Sequence, residues 1–361
     1  MTGRGGARHV EGRLPGARGV ELFWQGTEPA EPTGVVLVSH GLGEHGGRYG
    51  NVVDALVPDG WAVHALDHRG HGRSNGRRAH LDDYADWLSD FDAFRKVVVA
   101  RRPGLPLFVL GHSMGGQIAL SYALEHQDVL AGLVLSAPAL ASDAAPKPLV
   151  AVLTQVAKVL PTIRPSGIDV TKISKDPAVV ADYEADPLNH HGNPTLGLAS
   201  RLVGRFATLP ERSRSLRLPV LVQHGTADQL TDPEGTRRLQ TFIGSPDVTV
   251  RWYEGLWHEI YNEPERERPS PTCGTGWPHT GSGQRGARPR APSRTPGARS
   301  RRSPGAAGAG RARAGRRPSD ARRRSAGSRC GRAARPAPCR ARPSAGRRRR
   351  GARASSRGRG G

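Results

Sequence analysis

At 361 residues the chain is long enough for one large domain and an appendage, and its net charge of +22 taken alone would describe a polyanion-binding protein. The charge is not spread evenly: residues 268–361 hold 27 Arg, no Lys and one acidic residue, Asp320, so residues 1–267 come out near −4. All three cysteines (Cys273, Cys330, Cys339) fall in that same tail, which excludes a disulfide framework or a thiolate metal site in the body.

Taken in chain order, the first stretch, Met1–Arg18, is rich in Gly and Arg and has no apolar core, so no secretory signal is expected. No run approaches the length of a membrane span. The expectation is a soluble, cytoplasmic protein, able to touch a membrane peripherally.

Short apolar runs follow. Val35–Val38, Trp61–Ala65, Leu107–Leu110, Leu133–Leu135, Val220–Val222 and Val248–Trp252 read as buried strands. Between them lie helical patterns. Asp82–Ala100 spaces Tyr84, Trp87, Leu88, Phe91, Phe94 and Val98 at about 3.6 residues; Met114–Leu124 and Pro233–Phe242 are two more. This alternation predicts an α/β fold: a mostly parallel central sheet flanked by helices, with its site beyond the carboxyl ends of the strands. From about Ala139 to Leu216 the alternation lapses into helical pieces without a convincing strand, which predicts a helical cap insertion. Within it Leu149, Val152, Leu153, Val156, Val159 and Leu160 make an apolar helix, either packed on the body or acting as a lid toward lipid. The tail, 268–361, has no Leu, Ile, Val, Phe, Met or Tyr. It cannot bury enough apolar surface to offset ordering and is expected to be disordered.

The chemistry centres on Gly111-His-Ser113-Met-Gly115, entered by a strand and left by a helix. The tight strand–turn–helix lifts the Ser113 hydroxyl to the end of the sheet, and the helix start points N–H groups at it. A serine hydroxyl needs a base, and an imidazole base needs an orienting carboxylate. In this fold class the order along the chain is Ser, acid, His. Asp228 ends the polar turn after Val220–Val222, and His258 lies in the loop after Val248–Trp252. Asp232 is the rival for the acid; His224 is read as supporting the acid's turn. For the oxyanion, the donors expected are the backbone N–H groups of Met114, next to the nucleophile, and Leu42, in the Gly-rich loop His40-Gly-Leu-Gly-Glu-His45. Asp67-His-Arg-Gly-His-Gly-Arg-Ser74 reads as a structural polar loop at the rim of the site. His64, His68 and His71 lack a carboxylate cluster at ligand spacing, so no metal is expected.

Together with His224-Gly-Thr-Ala-Asp228 and Gly255-Leu-Trp-His-Glu-Ile-Tyr-Asn-Glu-Pro264, these motifs resemble the monoacylglycerol lipase family, bacterial type, of the α/β-hydrolase superfamily, over about residues 10–266. The resemblance implies hydrolysis of a monoacylglycerol to free fatty acid and glycerol, a cap with an apolar lid, and no cofactor. It carries the triad onto Ser113, Asp228 and His258, and the oxyanion donors onto Leu42 and Met114. Lysophospholipase or general carboxylesterase activity is the nearest alternative, because the triad chemistry is the same. A fold without turnover is another, and polyanion binding through the tail is the rival of a different class; no specific nucleic acid is expected, since Trp277 alone offers stacking there. The resemblance departs after Asn262-Glu-Pro-Glu-Arg266, where the family continues with an amphipathic helix and this chain turns into Arg, Ala, Gly and Pro. An Arg-rich, Lys-free tail fits an out-of-frame reading of GC-rich codons. Deleting residues 268–361 is therefore expected to leave esterase activity in place while removing salt-sensitive polyanion binding; loss of turnover on deletion would contradict this division.

Overall fold

The computed structural model describes residues 6–140, 147–165, 169–206 and 208–266, all within one unit, Met1–Arg288. The tail expected to be disordered, 268–361, lies outside the described residues.

The six strands expected from the apolar runs are present: β3 (Gly34–Ser39), β4 (Trp61–Leu66), β5 (Leu107–His112), β6 (Gly132–Ser136), β7 (Val220–Gly225) and β8 (Val248–Tyr253); the first five are buried as expected, but β8, at the sheet edge, is half-buried up to Tyr253. They are parallel throughout, in the order β4-β3-β5-β6-β7-β8. Two further strands, β1 (Arg8–Pro15) and β2 (Glu21–Glu28), extend the sheet as an antiparallel hairpin beside β4. Sequence reading missed them for a physical reason. β1 is an edge strand with only Leu14 buried, and β2 mixes Leu22-Phe-Trp24 with glycine and charge, so neither shows a continuous apolar run.

Period-two alternation divides the core. Val35, Leu37, Leu107 and Val109 face one apolar cluster, while Val36, Val38, Phe108 and Leu110 face the other. The first cluster is covered by α2 (Tyr84–Arg101), α3 (Met114–Glu125) and α8 (Pro233–Phe242). The second is covered by the short α1 (Gly50–Leu56) through Val52 and Leu56. The α2 stripe is the one anticipated: Trp87, Phe91, Phe94 and Val98 are fully buried.

After β6 the chain leaves the sheet and returns only at Val220. The described elements between are helical: α4 (Lys147–Val159), α5 (Pro177–Ala185), α6 (Leu196–Phe206) and α7 (Leu209–Ser213), with α4 packed on α6. Of the apolar residues expected along α4, the side chain of Leu149 lies outside those described, whereas Val152 and Val159 are exposed, at 58% and 78%.

The Asp67–Ser74 loop is structural, but it is buried rather than at the rim. Asp67 accepts from the N–H groups of Gly46 and Arg73, and Ser74 donates to the Asp67 carbonyl while accepting from Phe23 N–H. Arg69 drives inward to Asp90 (2.6 Å) and Asp86 (3.2 Å) and caps the Ala17 carbonyl. Asp90 is fully buried and sits on α2, so this arginine ties the loop and the N-terminal segment to the helix. Removing one partner of a buried pair strands the other charge. Arg69→Met is expected to cost about 3–5 kcal/mol in urea unfolding at pH 7, and a loss below about 1 kcal/mol, typical of an exposed pair, would show the pair is not structural.

Candidate active site

The strand register brings the ends of β3, β5, β6 and β7 to one level: Ser39 pairs with Gly111, His112 with Ser136, and Ser136 with Gln223. The loops carrying Leu42, Ser113, Asp228 and His258 all emerge at this edge.

Ser113 sits between β5 and α3 with φ +53° and ψ −119°, a conformation costly for any residue with a side chain. The turn is held by Ser113 N–H to the Ser136 carbonyl (3.0 Å) and by Ala139 N–H to the Ser113 carbonyl (3.0 Å). Close approach explains the motif's glycine at 115: a Cβ there would strike the Ser39 carbonyl.

Asp228 and His258 are brought together by their own loops. Thr226 N–H bonds the Tyr253 carbonyl and Ala227 N–H the Leu256 carbonyl, each at 3.0 Å. His258 Nδ1 lies 2.8 Å from Asp228 Oδ2. Since the carboxylate can only accept, Nδ1 carries the proton and Nε2 keeps its lone pair, the state a general base requires. Asp228 is further held by the N–H groups of Leu230 (2.8 Å) and Thr231 (3.0 Å), the Thr231 hydroxyl (2.8 Å) and His224 Nε2 (3.2 Å). Burial opposes its charge, but these donors and the adjacent imidazoles hold its carboxyl far below the usual carboxylate range. Burial likewise disfavours the His258 imidazolium; the Asp228 charge and hydrogen bond outweigh it and raise the His258 pKa.

The rival acid is placed elsewhere. Asp232 caps α8, accepting from Glu234 N–H at 2.8 Å. His224 supports the acid, as expected, and is itself fixed by Thr236 (2.8 Å). Among the described residues, no hydrogen bond occupies the N–H of Leu42 or of Met114. No group of three or more His, Cys, Asp or Glu among them is placed to hold a metal.

Ser113, His258, Leu42 and Met114 line one open cavity of about 160 Å³. Val170, Ile173, Leu202 and Leu230 give it an apolar wall, two of them from between β6 and α5. Glu44, His112 and Glu259 are shared with a much smaller chamber of about 20 Å³, completed by Arg48, Tyr49, Val52, Tyr261 and Asn262. Arg48 pairs with Glu259 at 2.6 Å, and Glu44 accepts from Gly41 N–H and the Tyr49 hydroxyl. Burial raises Glu259; burial also opposes the charge on Glu44, but the Arg48 guanidinium and the Gly41 N–H outweigh it and lower the Glu44 pKa. Burial pushes His112, whose ring is tilted 50° to the His258 ring at 4.6 Å, down to about 3, so it stays neutral. Sequence reasoning did not single out Glu44, His112, Glu259, Arg48 or Thr231. The first three lie inside the motifs, where an ionisable residue in a buried Gly-rich turn was a usable signal; Arg48 and Thr231 carried none.

A strand–elbow–helix serine, a buried carboxylate–imidazole pair and a mostly parallel sheet define the class: a carboxylic ester hydrolase of the α/β-hydrolase superfamily. Comparison with known proteins agrees. The family model described as serine aminopeptidase, S33, matches residues 30–265. A monoacylglycerol lipase of Mycolicibacterium smegmatis is 41% identical over 262 residues, 72% of this chain and 93% of that one. Human monoglyceride lipase is 34% identical over 69% of this chain and 84% of its own. The crystal structure of Paleococcus ferrophilus monoacylglycerol lipase superposes with a TM-score of 0.61 at 31% identity, over 72% of this chain and 95% of that one. The chain belongs to the monoacylglycerol lipase family.

Because the Asp228 charge and hydrogen bond raise the His258 pKa, a neutral imidazole here is lost as pH falls through a value above the ordinary histidine value. The acid limb of kcat/KM is expected to report that value. Asp228→Asn is expected to lower kcat by about 10⁴-fold, the scale seen when a triad acid is neutralised and the tautomer goes wrong, and to move the acid limb to lower pH. An unshifted limb would mean that another group titrates.

Proposed function

We propose that the chain hydrolyses monoacylglycerols, with Ser113 as nucleophile, His258 as general base and acid, and Asp228 as the orienting carboxylate. His258 Nε2 takes the Ser113 proton as Oγ attacks the ester carbonyl. The oxyanion that forms is held by the N–H groups of Leu42 and Met114. Collapse breaks the C–O bond, glycerol leaves with the proton from His258, and the acyl group stays on Ser113. Water, deprotonated by His258, attacks the acyl-enzyme and releases the fatty acid.

One observation carries the substrate class: the cavity that Ser113 lines combines an apolar wall, Val170, Ile173, Leu202 and Leu230, with the carboxyl residues Glu44 and Glu259. A monoacylglycerol has a similar pairing, a long apolar chain and a compact uncharged polyol joined at the ester. A phosphocholine head would bring a phosphate beside the buried Glu44 carboxylate, which disfavours the lysophospholipid alternative. The exposed Val152, Val159, Leu160 and Ile163 support reading residues from about 139 to 216 as a cap that meets a lipid surface. Among the described residues, no helix is long and apolar enough to cross a membrane. We read residues 1–267 as the hydrolase domain and 268–361 as an appendage that the reaction does not use.

A fluorophosphonate probe is expected to label Ser113 and leave Ser113→Ala unlabelled, with turnover falling by about 10⁶-fold, as for loss of a serine nucleophile. Turnover is expected to rank monoacylglycerol above lysophosphatidylcholine and above short p-nitrophenyl esters. The reverse order would move the assignment to lysophospholipase or general carboxylesterase.

A further inference from the structure

The loop that carries Leu42 is clamped from two directions. From the body, Glu44 accepts from Gly41 N–H, and His40 Nδ1 lies 2.7 Å from the Gly41 carbonyl. His40 Nε2 accepts from His68 N–H (2.9 Å), so Nδ1 holds the proton and donates. The Gly41 carbonyl and the Leu42 N–H belong to one planar peptide, so fixing the first aims the second.

The other clamp comes from the segment between β6 and β7. The Gly43 carbonyl accepts from the Tyr183 hydroxyl (3.0 Å) and from His190 N–H (2.8 Å). Tyr183, at the end of α5, is 5% exposed. Its ring lies 4.8 Å under the Arg48 guanidinium, which is itself anchored on Glu259. Asn189 donates to the Tyr183 carbonyl (3.0 Å), and Asp186 pairs with His45 at 2.8 Å. Gly43 has φ +85°, and a Cβ there would sit 2.6 Å from the Tyr183 hydroxyl, so the glycine both makes the turn and admits the tyrosine.

We propose that Tyr183 is a positioning residue for the reaction: through the Gly43 carbonyl it holds the oxyanion loop, so the cap's seating on the body sets how well Leu42 N–H meets the transition state. Oxyanion donors act by being in place before charge develops, and a displacement of about 1 Å can cost 10²-fold in rate. Body contacts fix the loop before Leu42; the contacts from Tyr183 and His190 fix it after. Loosening the second clamp costs stabilisation of the tetrahedral species while leaving the apolar wall that binds the acyl chain intact.

This rests on the serine-hydrolase reading above, and the test separates the two. Tyr183→Phe removes one oxygen and keeps the ring on Arg48. With p-nitrophenyl butyrate, kcat is expected to fall about 10-fold, part of the 10²–10³ seen for loss of a whole donor, with KM within twofold and thermal midpoint unchanged. Affinity for a trifluoromethyl ketone, whose Ser113 adduct places an oxyanion in the hole, is expected to weaken by the same factor. Asp186→Ala, which removes the acceptor for His45 Nε2–H without touching Tyr183, is expected to shift kcat and ketone affinity in the same direction. If Tyr183→Phe misfolds, the Asp186→Ala result decides. Unchanged kcat, or a raised KM with unchanged ketone affinity, overturns the proposal and makes Tyr183 a wall residue. A wild-type chain that neither turns over nor takes the fluorophosphonate at Ser113 overturns the parent reading instead.

Discussion

A buried carboxylate governs this molecule. Asp228 is closed off from solvent, and a bare charge there would be intolerable. It is tolerable because two backbone N–H groups, a threonine hydroxyl and two imidazoles converge on it. That convergence requires β7 and β8 to be neighbours, the Thr226–Asp228 turn to be stitched to the Leu256 loop, and His258 to present Nδ1 inward. Once Nδ1 is committed, Nε2 is left with its lone pair, so the side of the ring that can take a proton follows from how one charge is kept.

The same logic of enforced satisfaction runs through the loop opposite. Each clamp on the Gly41–Gly43 segment uses a group with another duty. Glu44 is also an acceptor for Tyr49, His40 also receives His68 N–H, and Tyr183 also supports the Arg48–Glu259 pair. The smaller chamber is therefore coupled to the oxyanion loop through Glu44, and to the α5 segment through Arg48. The cavity that Ser113 lines therefore joins apolar residues to members of this charged lattice.

The strained Ser113 backbone fits the same picture. A positive φ at a serine persists only where neighbours over-determine it. Here β6 supplies the Ser136 carbonyl, Ala139 supplies an N–H, and Gly115 lets α3 close against the Ser39 carbonyl. The nucleophile's exposure is therefore a property of three adjacent parallel strands, beyond the five-residue motif that marks it.

Much was legible in the chain itself. Buried parallel strands announce themselves as short β-branched runs because both faces are covered; Ser113 and Asp228 stand in loops just after two of them and His258 after the half-buried β8, so a one-dimensional pattern made them candidates. The hairpin of β1 and β2 was not legible, because an edge strand with a solvated face needs no apolar run. Nor could spacing choose between Asp228 and Asp232: both lie in the turn beyond β7, and only the approach of the His258 loop separates a triad acid from a helix cap. Arg48 and Tyr183 had no local signature, since their roles come from contacts with residues distant in sequence. Local chain chemistry determined which residue types stand at the strand ends; long-range packing decided which of them meet, because hydrogen bonds of about 3 Å are set by folded geometry and leave no period in the sequence.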